Sequence, residues 1–395
     1  MVGLKYKAPP STGDRPVVAL ITSSFPRFEG DPSGHFVEAH ARALAREGAR
    51  VVVIAPGPKA KPPLRTQESA SDAASTDIEV ARAGGERLFQ WPGAPARARQ
   101  NPLRLWGAFE FVSGARRALA SLERVDRIVA HWIVPCAFPV VVYASPLAAG
   151  RVHKGNNVYT RAPLDVVAHG GDVRLLCQSP AAVRNAVIAA LLERGARFQF
   201  VAHPLLDVLC DGLGLAAARA LRAASRCEPA PIDVPNVEGA ARVLRERNIR
   251  AAPSTPTVVC VARLVREKRV DLAILAAARA GARLVIIGDG PERSALQSLA
   301  ASLRSHVAFT GALPRIEALT WIAAADVLVH PSIVEGAPTV VREARALCTP
   351  VVACAGGDVK RWAESDAAIH VVDHNADAIA AGIQRAVLCV RKSDR

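Results

Sequence analysis

The chain has 395 residues, half of them apolar, and a formal net charge of +14 at pH 7. This length is too great for one comfortable hydrophobic core, so it suggests two domains that each bury an interior. The apolar content excludes a disordered chain. The longest apolar runs, around Val134 to Val142 and Val327 to Val329, are short or broken by proline, which argues against a membrane span.

The positive charge is concentrated in the first part of the chain. Residues 1–230 hold 29 Lys and Arg against 19 Asp and Glu, a net charge of +10. Such a field favours anionic partners, whether nucleic acid, an anionic lipid surface or a phosphorylated substrate. Because arginine greatly outnumbers lysine and alanine is abundant, a compositional bias without function is the alternative.

The cysteines and the N-terminus indicate a cytoplasmic protein. The eight cysteines form no Cys-x-x-Cys pair, and most lie in apolar or helical stretches, which suits reduced structural thiols. The segment Met1 to Arg15 is polar and contains prolines, without the apolar segment of a signal peptide. We therefore expect a cytoplasmic location.

The first predicted elements form a complete βαβ unit. Val17 to Thr22 is a buried strand, and a glycine-containing loop leads from Ser23 to Gly34. A helix from His35 to Glu47 follows, and Val51 to Ile54 is the next strand. In an open α/β sheet, ligands bind at the carboxyl ends of the strands, which is where this loop lies.

The region that follows is less regular. Lys59 to Ala81 is predicted as a surface loop with a possible short strand at its end. Between Pro102 and Leu122, apolar residues at helical spacing predict an outer helix that packs its apolar stripe on the sheet, with a membrane-contacting helix as the alternative. This stripe comprises Leu103, Trp106, Phe109, Val112, Ala115 and Leu119. Three further strands are predicted at Arg127 to His131, Asp165 to His169 and Phe198 to Ala202.

A domain boundary is predicted between Ala216 and Ala252, where strand character is lost and prolines recur. We divide the chain into residues 1–235 and residues 236–395. In the second part, strands and helices alternate regularly: strands Val258 to Val261, Arg283 to Ile287, Val307 to Phe309, Val327 to Val329 and Val351 to Ala353, with helices Val270 to Ala280, Glu292 to Leu303, Ile316 to Ala324, Thr339 to Leu347 and Ala376 to Val390. The predicted fold is α/β, with two doubly wound Rossmann-like domains that face a cleft.

One stretch, Pro331 to Ala344, has the residue types of a ligand site. Glu335 and Glu343 lie eight positions apart across a tight loop and the start of a helix, so both carboxylates are expected to face one cleft. Carboxylates accept hydrogen bonds from sugar hydroxyls, and the free N–H groups at a helix start suit a phosphate. Pro338 cannot donate, so a phosphate cradle here would use the backbone of Gly336, Ala337, Thr339 or Val340. These features predict a sugar-nucleotide site.

Five blocks of the second half carry a resemblance to a known family. They are Val259 to Lys268, Leu284 to Pro291, Phe309 to Gly311, Pro331 to Ala344, and Thr349 to Gly357. Together, in this order and spacing, they resemble glycosyltransferase family 4, whose members have the GT-B fold. In the first half, Ser24 to Pro26, Gly34 to Val37, Leu44 to Gly48 and the His-Gly-x-Asp-like run Val167 to Asp172 are similar to the same family.

The resemblance implies a role for individual residues. Arg263 and Lys268 would hold the donor diphosphate, and Gly34 would let the backbone approach the phosphates. Glu335 would contact donor sugar hydroxyls, and Glu343 would hold the ribose. His169 would lie beside the reacting carbon, so His169 and Glu335 are the candidate catalytic residues. One departure from the family is Arg269, which follows Lys268 where glycine is usual.

Each of these residues also has a structural interpretation. Arg263 and Lys268 could be a solvated pair on a loop, and Glu343 could be an exposed glutamate in the first helical turn. Asp172 could simply cap the next turn. His131 is interpreted as a structural histidine at the end of a strand.

No cofactor or metal is expected beyond the donor substrate. No Asp-x-Asp element occurs in the chain, which argues against a metal-dependent glycosyltransferase. Gly288-Asp289-Gly290 is followed by Pro291 and lacks a third glycine in register, so it is a weak dinucleotide fingerprint. His370, Asp373 and His374 are interpreted as surface residues.

The expected function is that of a retaining glycosyltransferase that moves a sugar from a nucleotide-diphosphate sugar to a glycan, lipid-linked or small-molecule acceptor. A place in cell envelope polysaccharide biosynthesis and a peripheral contact with anionic membrane accompany this expectation, whereas nucleic acid is not expected as a partner. A sugar-nucleotide epimerase on the same fold, or a charge-driven polyanion- or membrane-binding module, is the alternative. The chain ends after the helix from Ala376, without the further segment that family members usually return to the first domain, so looser domain closure is expected.

Overall fold

The structure is a computed structural model that describes residues 15–28, 31, 33–58, 64–65, 77–89, 94–142, 161–251 and 254–393. Two α/β domains are present, each built around one sheet. The predicted α/β architecture of two doubly wound domains is thereby confirmed. None of the helices in the described part of the chain combines the length and the apolar character that a membrane crossing needs.

The first sheet has eight strands in the order β3-β4-β2-β1-β5-β6-β7-β8. The strands are β1 (Val17–Ile21), β2 (Arg50–Ala55), β3 (Leu64–Arg65), β4 (Ile78–Arg82), β5 (Arg127–His131), β6 (Leu164–Ala168), β7 (Arg197–Phe200) and β8 (Ser225–Cys227). All neighbours run parallel except β3, which pairs antiparallel with β4. The central strand β1 is buried along its whole length, because helices cover both faces of a parallel sheet.

The helices of this domain are α1 (His35–Arg46), α2 (Ala94–Gln100), α3 (Trp106–Ala120), α4 (Gly171–Gln178), α5 (Ala181–Glu193), α6 (His203–Asp211) and α7 (Leu215–Ala223). A 3₁₀ turn, Pro102–Leu105, leads into α3. A wide helical segment, Ile133–Val141, follows β5 and is interrupted at Val134, Phe138 and Pro139. Helices α4, α5, α6 and α7 were not predicted from the sequence. In α5 the exposed side also carries alanines and Val183, so no amphipathic stripe is visible. The predicted loop of residues 59–81 lies mostly outside the described residues.

The predicted helix between Pro102 and Leu122 is present as α3, but the first half of its predicted apolar stripe is wrong. Phe111, Ala115 and Leu119 are buried against the sheet, but Trp106 and Phe109 are 68% and 64% exposed. The reason is geometric, since residues three apart are separated by about 300° around a helix and drift by about 60° at each step. The steps of three from Leu103 to Ala115 therefore rotate around the helix, and Ala115 and Leu119, which are four apart, lie on the packed face.

The second sheet has six parallel strands in the order β11-β10-β9-β12-β13-β14. They are β9 (Thr257–Val261), β10 (Arg283–Ile287), β11 (Val307–Gly311), β12 (Val327–His330), β13 (Val351–Cys354) and β14 (Ile369–Val372). The helices are α8 (Glu238–Ala251), α9 (Val270–Ala280), α10 (Arg293–Ser302), α11 (Arg315–Ala324), α12 (Thr339–Ala346), α13 (Val359–Ser365) and α14 (Ala376–Ser393). Each predicted strand and helix of this part is present, with ends that differ by a few residues.

The two sheets are joined by the segment of residues 228–237. Strand β8 of the first sheet ends at Cys227, and α8 packs its Ala241 into the apolar core around β9 and β12 of the second sheet. Helix α8 thus belongs with the second sheet. The division between residues 235 and 236 lies within the joining segment.

We predict that Gly114→Ala destabilises the first domain. A Cβ atom at Gly114 in α3 would lie 1.8 Å from the carbonyl oxygen of Ala83, a backbone atom that cannot move aside alone. Overpacking of this kind costs roughly 1–3 kcal/mol or more. Thermal and urea unfolding measure the effect.

Gly239→Ala is the matched control, because its Cβ atom would meet nothing within 4 Å and the residue is helical. This control should leave stability unchanged or raise it by about 0.5–1 kcal/mol. Equal stability of both variants would contradict the close approach of α3 to Ala83.

Candidate functional site

A cleft of about 430 Å³ lies between the two domains, at the carboxyl ends of both sets of parallel strands. First-domain residues on its wall include His35, Phe36 and His169. The second domain contributes Arg263, Lys268, Arg315, Glu335, Gly336, Ala337, Thr339, Val340, Arg342 and Glu343. Among the predicted site residues, all except Gly34 line this cleft.

Glu335 is the centre of a charged cluster on the second-domain wall. It lies in the loop after β12 and forms an ion pair with Lys268, which ends the 3₁₀ turn Arg266–Lys268 that follows β9. Its Oε1 atom also lies 3.0 Å from Nε2 of His330, the last residue of β12. Burial disfavours the charged carboxylate, but the contacts and charges of His330 and Lys268 outweigh burial and hold the pKa of Glu335 well below its ordinary range. Glu335 is therefore ionised at neutral pH.

Glu343 is the centre of a second pair, one turn into α12. Its Oε1 atom accepts a hydrogen bond from Nη2 of Arg315 at 2.8 Å and lies 3.4 Å from Nε2 of His35 across the cleft. Burial again opposes ionisation, and the neighbouring His35 and Arg315 outweigh burial and lower the pKa of Glu343. The interpretation of Glu343 as an exposed first-turn glutamate is wrong, because only 7% of the residue is exposed.

The start of α12 faces the cleft. Pro338 is the N-cap residue, and its side chain cannot cap the helix. The first N–H groups of α12 therefore have no capping side chain. They lie beside Gly336 and Ala337 at the cleft wall. Gly336 lies against the first domain, since a Cβ atom there would be 3.4 Å from the carbonyl oxygen of His169. Gly357 closes this loop from behind, with a φ of 57° and its backbone directly against the Gly336 carbonyl.

His169 forms part of the opposite wall, directly after β6. Its ring packs against Phe36, at a centroid distance of 4.9 Å, and against Trp132, at 4.7 Å. Its Nε2 atom lies 2.8 Å from Nδ1 of His131. Burial, and to a lesser extent the charge of His40, lower the pKa of His169 to about 3, so the ring is neutral at neutral pH.

The carboxylate of Asp172 joins the segment after β5 to the loop after β6, which carries His169. Its carboxylate accepts hydrogen bonds from the backbone N–H groups of Ile133 at 2.7 Å, of His169 at 3.0 Å and of Gly170 at 3.0 Å. These N–H groups belong to residues outside α4, whose N-cap residue Gly170 gives no side-chain cap, so Asp172 joins the ends of β5 and β6 and is more than a cap of the next turn. Trp132 has a φ of 75°, a left-handed conformation that is strained for tryptophan and brings its ring onto His169.

Gly34 needs to be glycine for a reason within the fold. Its φ is 72°, and a Cβ atom would lie 2.4 Å from the carbonyl oxygen of Ser24, so α1 starts tightly against the loop after β1. Its role toward phosphate stays a prediction. Arg269, where the family usually has glycine, takes a left-handed φ of 47°, which explains the family preference.

Several residues of the cleft were not predicted from sequence. His35, Arg315, His330 and Arg342 line it, and three of them contact the predicted glutamates. His330 could have been noticed as the strand-end residue before Pro331. Arg315 gives no such signal, because it begins a helix that is remote in sequence from Glu343.

A clasp between the domains lies at the edge of the cleft. Asp358 of the second domain accepts hydrogen bonds from the backbone N–H of His203, at 3.1 Å for Oδ1, and lies 2.9 Å from Nδ1 of the same residue. His203 is the first residue of α6 in the first domain, whose N-cap residue Ala202 has no capping side chain. The carboxylate of one domain therefore caps a helix of the other.

The arrangement of two Rossmann-like domains around this cleft is the GT-B fold. A solved structure of sucrose-phosphate synthase from Thermosynechococcus elongatus superposes with a TM-score of 0.63 over 95% of this chain and 90% of that one, at 19% identity. This likeness shows the fold.

The family model of the glycosyl transferases group 1 matches residues 245–395. Among curated proteins, the candidate teichuronic acid biosynthesis glycosyltransferase TuaC of Bacillus subtilis (strain 168) is 35% identical over 129 residues, which cover 32% of each chain. A GDP-mannose-dependent alpha-(1-6)-phosphatidylinositol monomannoside mannosyltransferase of Mycobacterium tuberculosis (strain CDC 1551 / Oshkosh) is 35% identical over 144 residues, which cover 32% of this chain and 37% of the relative. The match spans about a third of the length of these curated relatives. The predicted resemblance to a GT-B glycosyltransferase family is confirmed.

We predict that Asp358→Ala loosens the two domains. The change leaves the first N–H of α6 without its cap, which costs about 0.5–2 kcal/mol, and it removes one contact between the domains. We expect a lower thermal midpoint and, in small-angle scattering, a larger radius of gyration.

Asp207→Ala is the control, because it removes an exposed carboxylate from the same helix, where it forms an ion pair with the exposed Arg222. Its effect should stay within about 0.5 kcal/mol. An unchanged scattering curve for Asp358→Ala would contradict the role of the clasp in holding the domains together.

Proposed function

We propose that this protein is a retaining glycosyltransferase that transfers a sugar from a nucleotide-diphosphate sugar to an acceptor hydroxyl. The observation that carries the proposal is the pair of Lys268 and Glu335, which lies in the interdomain cleft beside the open start of α12. The match of the second domain to the group 1 family model and the GDP-mannose dependence in the name of one relative support a nucleotide-sugar donor.

Lys268 is proposed to bind the diphosphate that leaves the sugar. Breaking the bond between the sugar and the diphosphate leaves negative charge on a phosphate oxygen, and a fixed cation stabilises this charge. Lys268 has three donors, so it can keep its bond to Glu335 and still donate to a phosphate. Arg263 lines the same part of the cleft and is proposed as the second cation. With these two side chains and the start of α12, the site requires no metal ion.

Glu335 is proposed to orient the donor sugar and to take no proton. Its pKa lies well below the ordinary range, so at neutral pH it only accepts hydrogen bonds. An ionised acceptor suits sugar hydroxyls, which are donors. Retention, implied by the family resemblance, needs no enzyme carboxylate as nucleophile, which agrees with a carboxylate that is tied to Lys268 and His330.

The first test is donor binding, measured by thermal stabilisation with a panel of nucleotide sugars. A donor at 100 times its dissociation constant should stabilise the protein by about 2.7 kcal/mol. In Lys268→Ala, loss of the phosphate contact should weaken binding roughly 100-fold and reduce the stabilisation at the same concentration to about 0.4 kcal/mol.

Lys360→Ala is the matched control, since Lys360 is an exposed lysine outside the cleft. It should respond to the donor as the wild type does. Once a donor is identified, Glu335→Ala should lower the rate of sugar transfer. A second measurement distinguishes the two enzyme classes: a transferase releases free nucleotide, whereas an epimerase releases an isomerised donor. Undiminished transfer by Glu335→Ala would remove the proposed role of this residue.

We also propose that the protein contacts an anionic membrane surface, which favours a lipid-linked acceptor. Leu103, Leu105, Trp106 and Phe109 form an apolar patch at the start of α3 with exposed fractions between 56% and 74%. Arg99, Arg104 and Arg117 lie on the same segment. Large exposed apolar side chains beside arginines suit the interface of an anionic bilayer.

The position of this patch agrees with a membrane-bound acceptor. The segment follows the carboxyl end of β4, and His169 follows the carboxyl end of β6 in the same parallel sheet. Both therefore lie at the edge of the sheet that borders the cleft. The phosphatidylinositol mannoside in the name of one relative is a lipid of this kind.

The double variant Trp106→Ser/Phe109→Ser tests the membrane contact. Each buried aromatic ring contributes about 1.5–3 kcal/mol, so binding to vesicles of phosphatidylglycerol and phosphatidylcholine should fall at least tenfold in a sedimentation assay. Leu215→Ser is the control, since Leu215 is 70% exposed on α7, outside the patch. If the wild-type protein does not bind anionic vesicles at low salt, the proposed membrane contact is wrong, and this result leaves the proposal of donor binding unaffected.

A further inference from the structure

Three imidazole rings are connected in series from α1 to the cleft. Nδ1 of His40, on α1, lies 3.0 Å from Nε2 of His131, and Nδ1 of His131 lies 2.8 Å from Nε2 of His169. His131 is fully buried at the end of β5, and His169 lies at the cleft wall. We call these three residues the histidine chain. Each contact uses one Nδ1 and one Nε2 atom, so the chain has a direction.

The rings of the histidine chain are neutral. Burial and the charges of Arg127 and Arg226 lower the pKa of His40 to about 4, although Asp165 acts in the opposite sense. Burial and the neighbouring rings hold the pKa of His131 well below its ordinary range, and that of His169 is also low. A neutral imidazole carries one N–H and one lone pair, so each ring donates at one nitrogen and accepts at the other.

These facts allow only two arrangements of the protons. If His131 carries its proton on Nε2, it donates to Nδ1 of His40 and accepts from Nε2 of His169, so all three rings are protonated on Nε2. If His131 carries its proton on Nδ1, all three rings are protonated on Nδ1. In the first arrangement His169 offers a lone pair at Nδ1, and in the second it offers an N–H there.

We propose that His40 and His131 are positioning residues that set whether His169 accepts or donates a hydrogen bond at the cleft. His169 cannot change its tautomer alone, because its contact with His131 would then join two lone pairs or two N–H groups inside a buried site. The value of this setting for catalysis rests on the proposed function. The coupling of the three tautomers does not, and it can be measured without any substrate.

Asp172 keeps the chain in register. It holds the backbone N–H groups of Ile133 and His169, which lie next to or within the loops that carry His131 and His169. Phe36 and Trp132 enclose the ring of His169, so it cannot turn to find another partner. Both observations distinguish a fixed hydrogen-bonded unit from a chance approach of three side chains.

The proposal is tested by determining the tautomer of each ring with long-range ¹H–¹⁵N correlation spectra of protein that carries ¹⁵N-labelled histidine. The signals are assigned with variants in which one histidine at a time is replaced. In the wild type at neutral pH, His40, His131 and His169 should share one tautomer. A mixed set, or a charged ring among the three, would overturn the proposal.

His40→Phe forces the outcome. This variant keeps a buried ring but removes the partner of Nε2 of His131. An unpaired N–H in a dry site costs more than an unpaired lone pair of a ring nitrogen, so His131 should carry its proton on Nδ1 and donate to His169. His131 and His169 should then both be protonated on Nδ1, and His169 protonated on Nε2 would overturn the proposal.

Two further variants separate this effect from a general loss of structure. His40→Asn places an amide where Nδ1 of His40 lies, so it can pair with His131 in either arrangement, and His131 and His169 should again share one tautomer. His370→Phe replaces a histidine on the edge strand β14 and should change neither His131 nor His169. If His40→Phe does not fold, the wild-type and His40→Asn spectra still decide whether the tautomers are shared.

The kinetic consequence follows once a donor is known. If the wild type is protonated on Nε2, His40→Phe should change kcat/KM by about two- to tenfold, the range of one ordinary hydrogen bond. His40→Asn should restore kcat/KM when its spectrum shows His169 protonated on Nε2. If the wild type is already protonated on Nδ1, His40→Phe should leave kcat/KM near the wild-type value. A coupled set of tautomers without any donor binding would contradict the proposed function alone.

Discussion

The parallel direction of the strands is the constraint on which this site depends. In both sheets the strands point their carboxyl ends at one edge, and the residues that follow those ends meet in the cleft. Lys268 follows β9, and His169 follows β6. His330 is the last residue of β12, and Glu335 lies in the loop after it. Residues that are far apart in sequence are thus brought within hydrogen-bonding distance by the fold alone, without any long loop reaching across.

The cleft divides charge between its two walls. Every Lys, Arg, Asp and Glu side chain among the described residues that line it comes from the second domain, including Lys268, Arg315, Glu335 and Glu343. These buried charges are tolerable because each glutamate has a cationic partner, and removing one partner would leave the other charge buried and unpaired. The first domain instead contributes aromatic and imidazole rings around His169. The second-domain wall therefore suits a charged ligand group, and the first-domain wall suits a neutral one.

Sequence reasoning was most successful where one pattern has one structural outcome. The strands and helices of the second domain were predictable because apolar runs alternate with helical spacing, and Glu335 and Glu343 meet in one cleft because the helix starts where the loop ends, at Thr339. The apolar face of α3 was predicted correctly only at Ala115 and Leu119, since the earlier spacing of three does not follow one side of a helix. The partners of Glu343 could not be predicted: Arg315 reaches it from a different helix of the same domain, and His35 reaches it only after the two domains meet. The contact of Asp358 with His203 likewise crosses the two domains. A single sequence holds no local pattern for such contacts.

His131 shows why the distinction between a structural and a functional residue depends on neighbours. Taken alone, a histidine at the end of a buried strand is a packed residue, and the structure agrees that it is fully buried. Its two nitrogens, however, are both used, one toward His40 and one toward His169. The hydrogen bond between His131 and His40 cannot reverse its direction unless the hydrogen bond between His131 and His169 reverses as well. His131 therefore couples the protonation of His40 to that of His169 at the cleft. Whether His169 donates or accepts a hydrogen bond at the cleft is thus decided by His40 and His131, which do not belong to the described residues that line the cleft.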